Sequence, residues 1–132
     1  MTTLIQTWNA TNVESHQRSR LVTGILWVLQ IASAAMFLFA GGLKLAAAPL
    51  MVQEFGVIGL GQWFRYFTGT IEVVSAVLLL IPSLAAYGAA ALAVTMVGAI
   101  TTHLFIIGGS PAIPIMLLAA TSSIAWARRS GR

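Results

Sequence analysis

Three residues able to hold or move a proton stand inside apolar stretches of this sequence: Lys44, Glu72 and His103. An ionisable side chain at mid-span in hydrocarbon costs roughly 2.5 to 3.5 kcal/mol even on lenient insertion scales, so such groups face a helix bundle or a wet cavity and pair there. Glu72 falls almost at the midpoint of the apolar run 63–81, and Lys44 and His103 fall near the ends of two other runs. Together they can do acid–base and binding chemistry. Lys44 and His103 can hydrogen-bond a carbonyl or an anion while Glu72 handles a proton, which makes these three the candidate catalytic residues.

Helical spacing adds candidates for ligand binding. Gln30, Ala34, Phe37, Gly41 and Lys44 follow an i, i+3, i+4 rhythm, a small and polar stripe expected to face inward. Arg65, Thr68, Glu72 and Ser75 share a second stripe. Arg65 sits about two turns from Glu72, roughly 10 Å along the axis, so a bridging water or ligand is more natural between them than a direct pair. A third stripe, Gly88, Ala91, Thr95, Gly98 and Thr102, reads as a close helix-packing surface with His103 one step round from it. Arg65, Thr68, Thr102, Gln30 and Trp63 are therefore the candidate ligand-binding residues. One histidine and two inner carboxylates make a poor metal site, so no metal ligands are assigned. No P-loop, H-E-x-x-H or Ser-His-Asp pattern is present.

The elements that must position these residues are long apolar helices. The spacing predicts an all-α integral membrane four-helix bundle with spans at about 21–45, 63–81, 84–107 and 112–127. A polar cytoplasmic tail (1–20) precedes this single domain (21–127), and a basic tail (128–132) follows it. Little order is expected in residues 1–17 unless they are tied to the surface. The segment 46–62 is too apolar for a solvated loop, and Pro49 suits a helix start, so it is expected to form a short interfacial helix or lid over the outer mouth. A short echo between Phe37–Gly42 and Leu104–Gly109 would fit a repeated helix pair.

Composition supports the same class. Of 132 residues, 58% are hydrophobic and 8% charged, too few charges to coat a water-soluble fold. The net charge of +4 comes from residues flanking hydrophobic runs, which argues against nucleic acid as a partner. Five of the seven Lys and Arg residues lie on the terminal side and two, Lys44 and Arg65, on the other, so both termini are expected in the cytoplasm of a multi-pass plasma (inner) membrane protein. The first apolar run exceeds a signal-peptide h-region and reads as a retained helix. With no cysteine the chain carries no thiol redox relay, and redox chemistry needs a bound cofactor or a partner.

An ordered set of motifs runs from about Leu21 to the end: Ala40-Gly41-Gly42-Leu43-Lys44-Leu45, Gly59-Leu60-Gly61-Gln62-Trp63-Phe64-Arg65, Gly69-Thr70-Ile71-Glu72 and Gly98-Ala99-Ile100-Thr101-Thr102-His103. This set resembles the DoxX-like membrane proteins. The resemblance implies a small four-helix inner-membrane protein, with relatives named after a subunit of a thiosulfate:quinone oxidoreductase and others tied to respiratory or oxidative-stress complexes. By matching motif positions, Lys44, Arg65, Glu72 and His103 would line the family's polar site.

Three functions compete on these grounds. The first is a small enzyme or accessory subunit of an oxidoreductase system that binds a quinone or another lipophilic small molecule in the outer-half cavity. It would have the bilayer and either a redox partner subunit or further copies of itself as partners, and no covalently bound cofactor. The second is a proton-coupled small transporter built on the lone membrane carboxylate. The third is a membrane assembly factor whose polar cluster only fixes the fold.

Overall fold

The structure, a computed structural model, describes residues 2–129. Met1 and the last three residues, with the Arg132 counted above in the basic tail, lie outside that range. Five α-helices follow one another: α1 (Thr2–Leu45), α2 (Pro49–Ile58), α3 (Gln62–Leu79), α4 (Ala85–Thr102) and α5 (Ala112–Arg128), with a π-helical turn at His103–Ile107 continuing α4. The described residues contain no strand. Among the described residues two helices are long and apolar enough to cross a membrane, Thr3–Leu45 and Ala85–Ile107.

One expectation fails at the start of the chain. Residues 2–17 are helical and extend α1 without a break, although nearly all of 3–17 are exposed. No glycine or proline interrupts Thr2–Thr23, and Thr7, Thr11 and Ser15 turn their hydroxyls back onto carbonyls of the preceding turn, so nothing local stops the helix.

Helix α1 packs on α3, α3 on α4, α4 on α5, and α5 returns to α1. Each supplies core residues: Ala34 and Phe37, then Ala76 and Leu79, then Ala89, Leu92 and Met96, then Ile124. Apolar side chains cover most of the outer surface too, among them Phe67, Val74, Val94, Leu104, Phe105 and Met116. Where lipid replaces water outside, helix association depends on tight contact rather than on exclusion of apolar surface from water, which is why small residues mark the crossings.

Two crossings show this. A Cβ on Gly41 would lie 2.9 Å from Gly69 O, and one on Gly69 would lie 2.9 Å from Lys44 Cβ, so α1 and α3 touch backbone to backbone. A Cβ on Gly88 would come within 2.6 Å of Ser75 O, so α3 and α4 are just as close near the turn that joins them. That closeness is lost along α4. A Cβ on Gly98 would meet nothing within 4 Å, so the stripe expected to be a packing surface throughout packs only at its Gly88 end. The buried face of α4 is instead Ala85, Gly88, Ala89, Leu92 and Met96.

Helix α2 packs against α3 and the π turn at the end where α3 and α4 have parted. It begins with Pro49, whose missing N–H is no loss in a first turn, and ends on Gly59 with φ 84°. Its hinge to α1 holds Ala47 at φ 57°, a conformation costing an L-residue roughly 1–2 kcal/mol.

Candidate functional site

The parting of α3 and α4 leaves a cavity of about 430 Å³ beneath α2, on the side of the core away from the chain ends. Phe37, Ala40 and Lys44 of α1 form one wall, Glu54, Phe55 and Ile58 of α2 form the roof, and Thr68, Ile71 and Glu72 of α3 form a second wall. Thr95, Met96, Ala99, Thr102 and His103 close it from α4 and the π turn, and Pro114 and Leu117 reach it from α5. Phe64 and Phe67 also border it and belong to a ring cluster with Phe55 and Trp63, centroids 5.6 to 6.3 Å apart.

Lys44 Nζ donates to Glu72 Oε2 at 3.1 Å. Only 2% of the Glu72 side chain is exposed, against 14% for Lys44. The two glycines explain why the pair can form: Gly41 and Gly69 lie three residues before Lys44 and Glu72, on the same faces, and let the two helices approach until the side chains meet. In low dielectric a partner for each charge is what makes burial tolerable.

His103 is the first residue of the π turn. Its Nδ1 lies 2.9 Å from Ala99 O; a carbonyl oxygen can only accept, so Nδ1 carries the proton, and in the neutral ring Nε2 is an acceptor. Thr95 and Thr102 spend their hydroxyl protons in the same way, on Ala91 O at 2.8 Å and Gly98 O at 2.7 Å. Thr68 makes no side-chain hydrogen bond among the described residues and can act either way.

Of the residues singled out by spacing, Lys44, Thr68, Glu72, Thr102 and His103 meet at this cavity. Three do not. Arg65 is buried, but its Nη1 donates to Lys44 O and its Nε to Gln62 Oε1 at 2.8 Å, with the guanidinium 4.2 Å from the centre of the Tyr66 ring. It closes the C-terminus of α1, where unpaired carbonyls and the helix dipole favour a cation, and does not border the cavity. Gln30 is fully buried at the opposite end of the bundle, where Nε2 donates to Leu79 O at 2.7 Å and Oε1 accepts from Arg128 Nε at 3.0 Å. That one side chain ties α1 to the ends of α3 and α5. Trp63 is 62% exposed and contributes only to the outer ring cluster.

Glu54 was missed. It projects from α2 to the cavity, is half-buried, and has no hydrogen bond or ion pair among the described residues. A single carboxylate in a glycine-rich apolar segment carried the signal, but it reads equally well as a solvated residue of an interfacial helix. Among the described residues no group of three His, Asp or Glu side chains is placed to hold a metal ion.

No curated protein and no solved structure matches the chain. The sequence model of the DoxX-like family, by contrast, matches residues 28–126, a stretch holding Lys44, Glu54, Glu72 and His103 and every element that builds the cavity. With three quarters of its length matched, this membrane protein belongs to the DoxX-like family.

Proposed function

We propose that this protein binds a quinone or another lipophilic small molecule in the cavity beneath α2, as a small enzyme or as an accessory subunit of an oxidoreductase system. The observation carrying this reading is a cavity of about 430 Å³, a volume typical of small-molecule sites, whose walls are mostly apolar and which holds at one side the half-buried Lys44 paired with the buried Glu72. Apolar walls suit a lipophilic ring. Lys44 keeps two N–H donors beyond its bond to Glu72, and Glu72 can exchange a proton with whatever Lys44 and His103 hold. A pair of this kind placed at a cavity wall is open to a ligand, whereas a brace has no need of adjoining space. Mass spectrometry of the organic extract of protein purified in mild detergent tests the reading. The expected result is an isoprenoid quinone or one other dominant lipophile enriched over an unrelated membrane protein from the same cells. Extracts indistinguishable from that control would defeat it and leave the assembly-factor reading ahead.

The same reading sets the protein in the inner membrane as a bundle of four crossing helices, residues 21–45 of α1 with α3, α4 and its π turn, and α5. Helix α3 is about 27 Å long at 1.5 Å per residue, close to the thickness of the hydrocarbon core, and α5 is one residue shorter. Both termini then lie in the cytoplasm and α2 in the opposite interface, as the excess of Arg at the chain ends favours. An alkaline phosphatase reporter fused after Arg132 is expected to be inactive and a fluorescent protein there to be bright. An active phosphatase would overturn the topology.

A further inference from the structure

The polar groups around the cavity are unevenly matched. Thr95 and Thr102 have given their hydroxyl protons to their own helix and offer only lone pairs. His103 has given its Nδ1 proton to Ala99 O, so the neutral ring has only Nε2 to offer, as an acceptor. Glu54 brings two carboxylate oxygens that nothing in the described structure engages, and Glu72 has one oxygen beyond the one bound to Lys44. Against these stands one group that can only donate, the Lys44 ammonium, already shared with Glu72. One further hydroxyl, on Thr68, can serve either way.

A half-buried acceptor is satisfied only by a donor, and a ligand with acceptors alone would find donors only at Lys44 and Thr68 and leave Glu54, His103 and the two threonines unmatched. The geometry points to a ligand that carries hydroxyl donors on an apolar ring: the site selects a hydroquinone over the corresponding quinone. This inference rests on the lipophilic-ligand reading above and deepens it by naming the redox form that is bound. The roof matters here, because Glu54 comes from α2 and the other acceptors come from α4 and the π turn. Acceptors supplied by two different elements suit a ring bearing two hydroxyls, as a hydroquinone does. Phe55 and Phe64, in tilted contact with centroids 5.8 Å apart, add aromatic surface to the same cavity.

Duroquinol and duroquinone share one ring and four methyl groups and differ only in carrying two O–H donors or two carbonyl acceptors, so they isolate the effect. Titrated anaerobically into the purified protein in detergent by calorimetry, duroquinol is expected to bind about tenfold more tightly than duroquinone. Thr95→Val with Thr102→Val, which removes both acceptors and keeps the shape, and separately Glu54→Gln, which replaces one acceptor oxygen by a donor, should each bring the ratio to about threefold or less. Helix content by circular dichroism and elution as a single species identify the folded variants. Thr95→Val alone serves if the double substitution fails that check, with a smaller change in the same direction. Duroquinone binding as tightly as duroquinol, or unchanged ratios in the folded variants, would overturn the hydroquinone preference and leave lipophile binding intact. Tighter binding of tetraphenylphosphonium than of either would overturn it in favour of a cation site. Failure of every probe to bind, together with a featureless extract, would instead remove the underlying function.

Discussion

Gly41→Ala and Gly69→Ala are each expected to lower the apparent melting midpoint in detergent by about 5 °C or more, whereas Gly42→Ala should leave it unchanged or raise it. The contrast lies in what a methyl group meets. At Gly41 it would sit 2.8 Å from Val73 Cγ2, 2.9 Å from Gly69 O and 3.1 Å from Glu72 Cβ; at Gly69 it would sit 2.9 Å from Lys44 Cβ and 3.1 Å from Gly41 O. Backbone atoms cannot rotate away, so α1 and α3 must separate, and overpacking of this kind costs about 1 to 3 kcal/mol. At Gly42 nothing lies within 4 Å, and only the helical preference for Ala over Gly remains, about 0.5 to 1 kcal/mol in the stabilising direction. The consequence reaches the site. Separating the helices stretches the 3.1 Å contact between Lys44 and Glu72, so the two destabilised variants should also bind the cavity ligand more weakly. Equal melting midpoints for Gly41→Ala and Gly42→Ala would show that the close crossing is not what holds α1 to α3.

Helical period and hydropathy carry much of this arrangement. In the stripe Gln30, Ala34, Phe37, Gly41 and Lys44 all but the half-buried Lys44 are buried, and in Arg65, Thr68, Glu72 and Ser75 all but the half-buried Thr68, because a 3.6-residue repeat records which face turns inward. The segment 46–62 likewise contains a helix beginning at Pro49. What period does not record is the distance between two facing helices at each level. Gly88 and Gly98 occupy equivalent places on one stripe, yet one is packed against Ser75 O and the other borders a cavity. Nor does it show which backbone carbonyls are left open. Gln30 and Arg65 looked like ligand groups because polar side chains in apolar helices need partners. Their partners are Leu79 O and Lys44 O, exposed for bonding only because α3 and α1 end there. For the N-terminal extension of α1 the general expectation that chain ends are poorly ordered is a weaker guide than the absence of helix breakers.

The largest single effect should come from breaking the ion pair, and its pattern separates a site from a brace. Lys44→Met leaves the Glu72 carboxylate, 2% exposed, without its cation, and removing one partner of a buried pair costs about 3 to 5 kcal/mol. Glu72→Gln leaves the ammonium with a weaker partner, but Lys44 is more exposed and can swing toward the cavity, so this change should cost less, about 1 to 3 kcal/mol. The double variant Lys44→Met with Glu72→Gln has no buried charge to strand. It should recover most of the stability lost in Lys44→Met, because a neutral amide beside a thioether is far cheaper to bury than a lone carboxylate. Thermal midpoints of the four proteins, read as a double-mutant cycle, measure that recovery. Ligand binding should behave differently. If Lys44 and Glu72 act on a bound molecule, the double variant folds well and still binds the ligand at least about tenfold more weakly, since neither the donor nor the proton exchanger remains. A stable double variant that keeps wild-type affinity would make the pair a structural tie between α1 and α3, and would move the binding chemistry to Glu54, His103 and the threonines of α4.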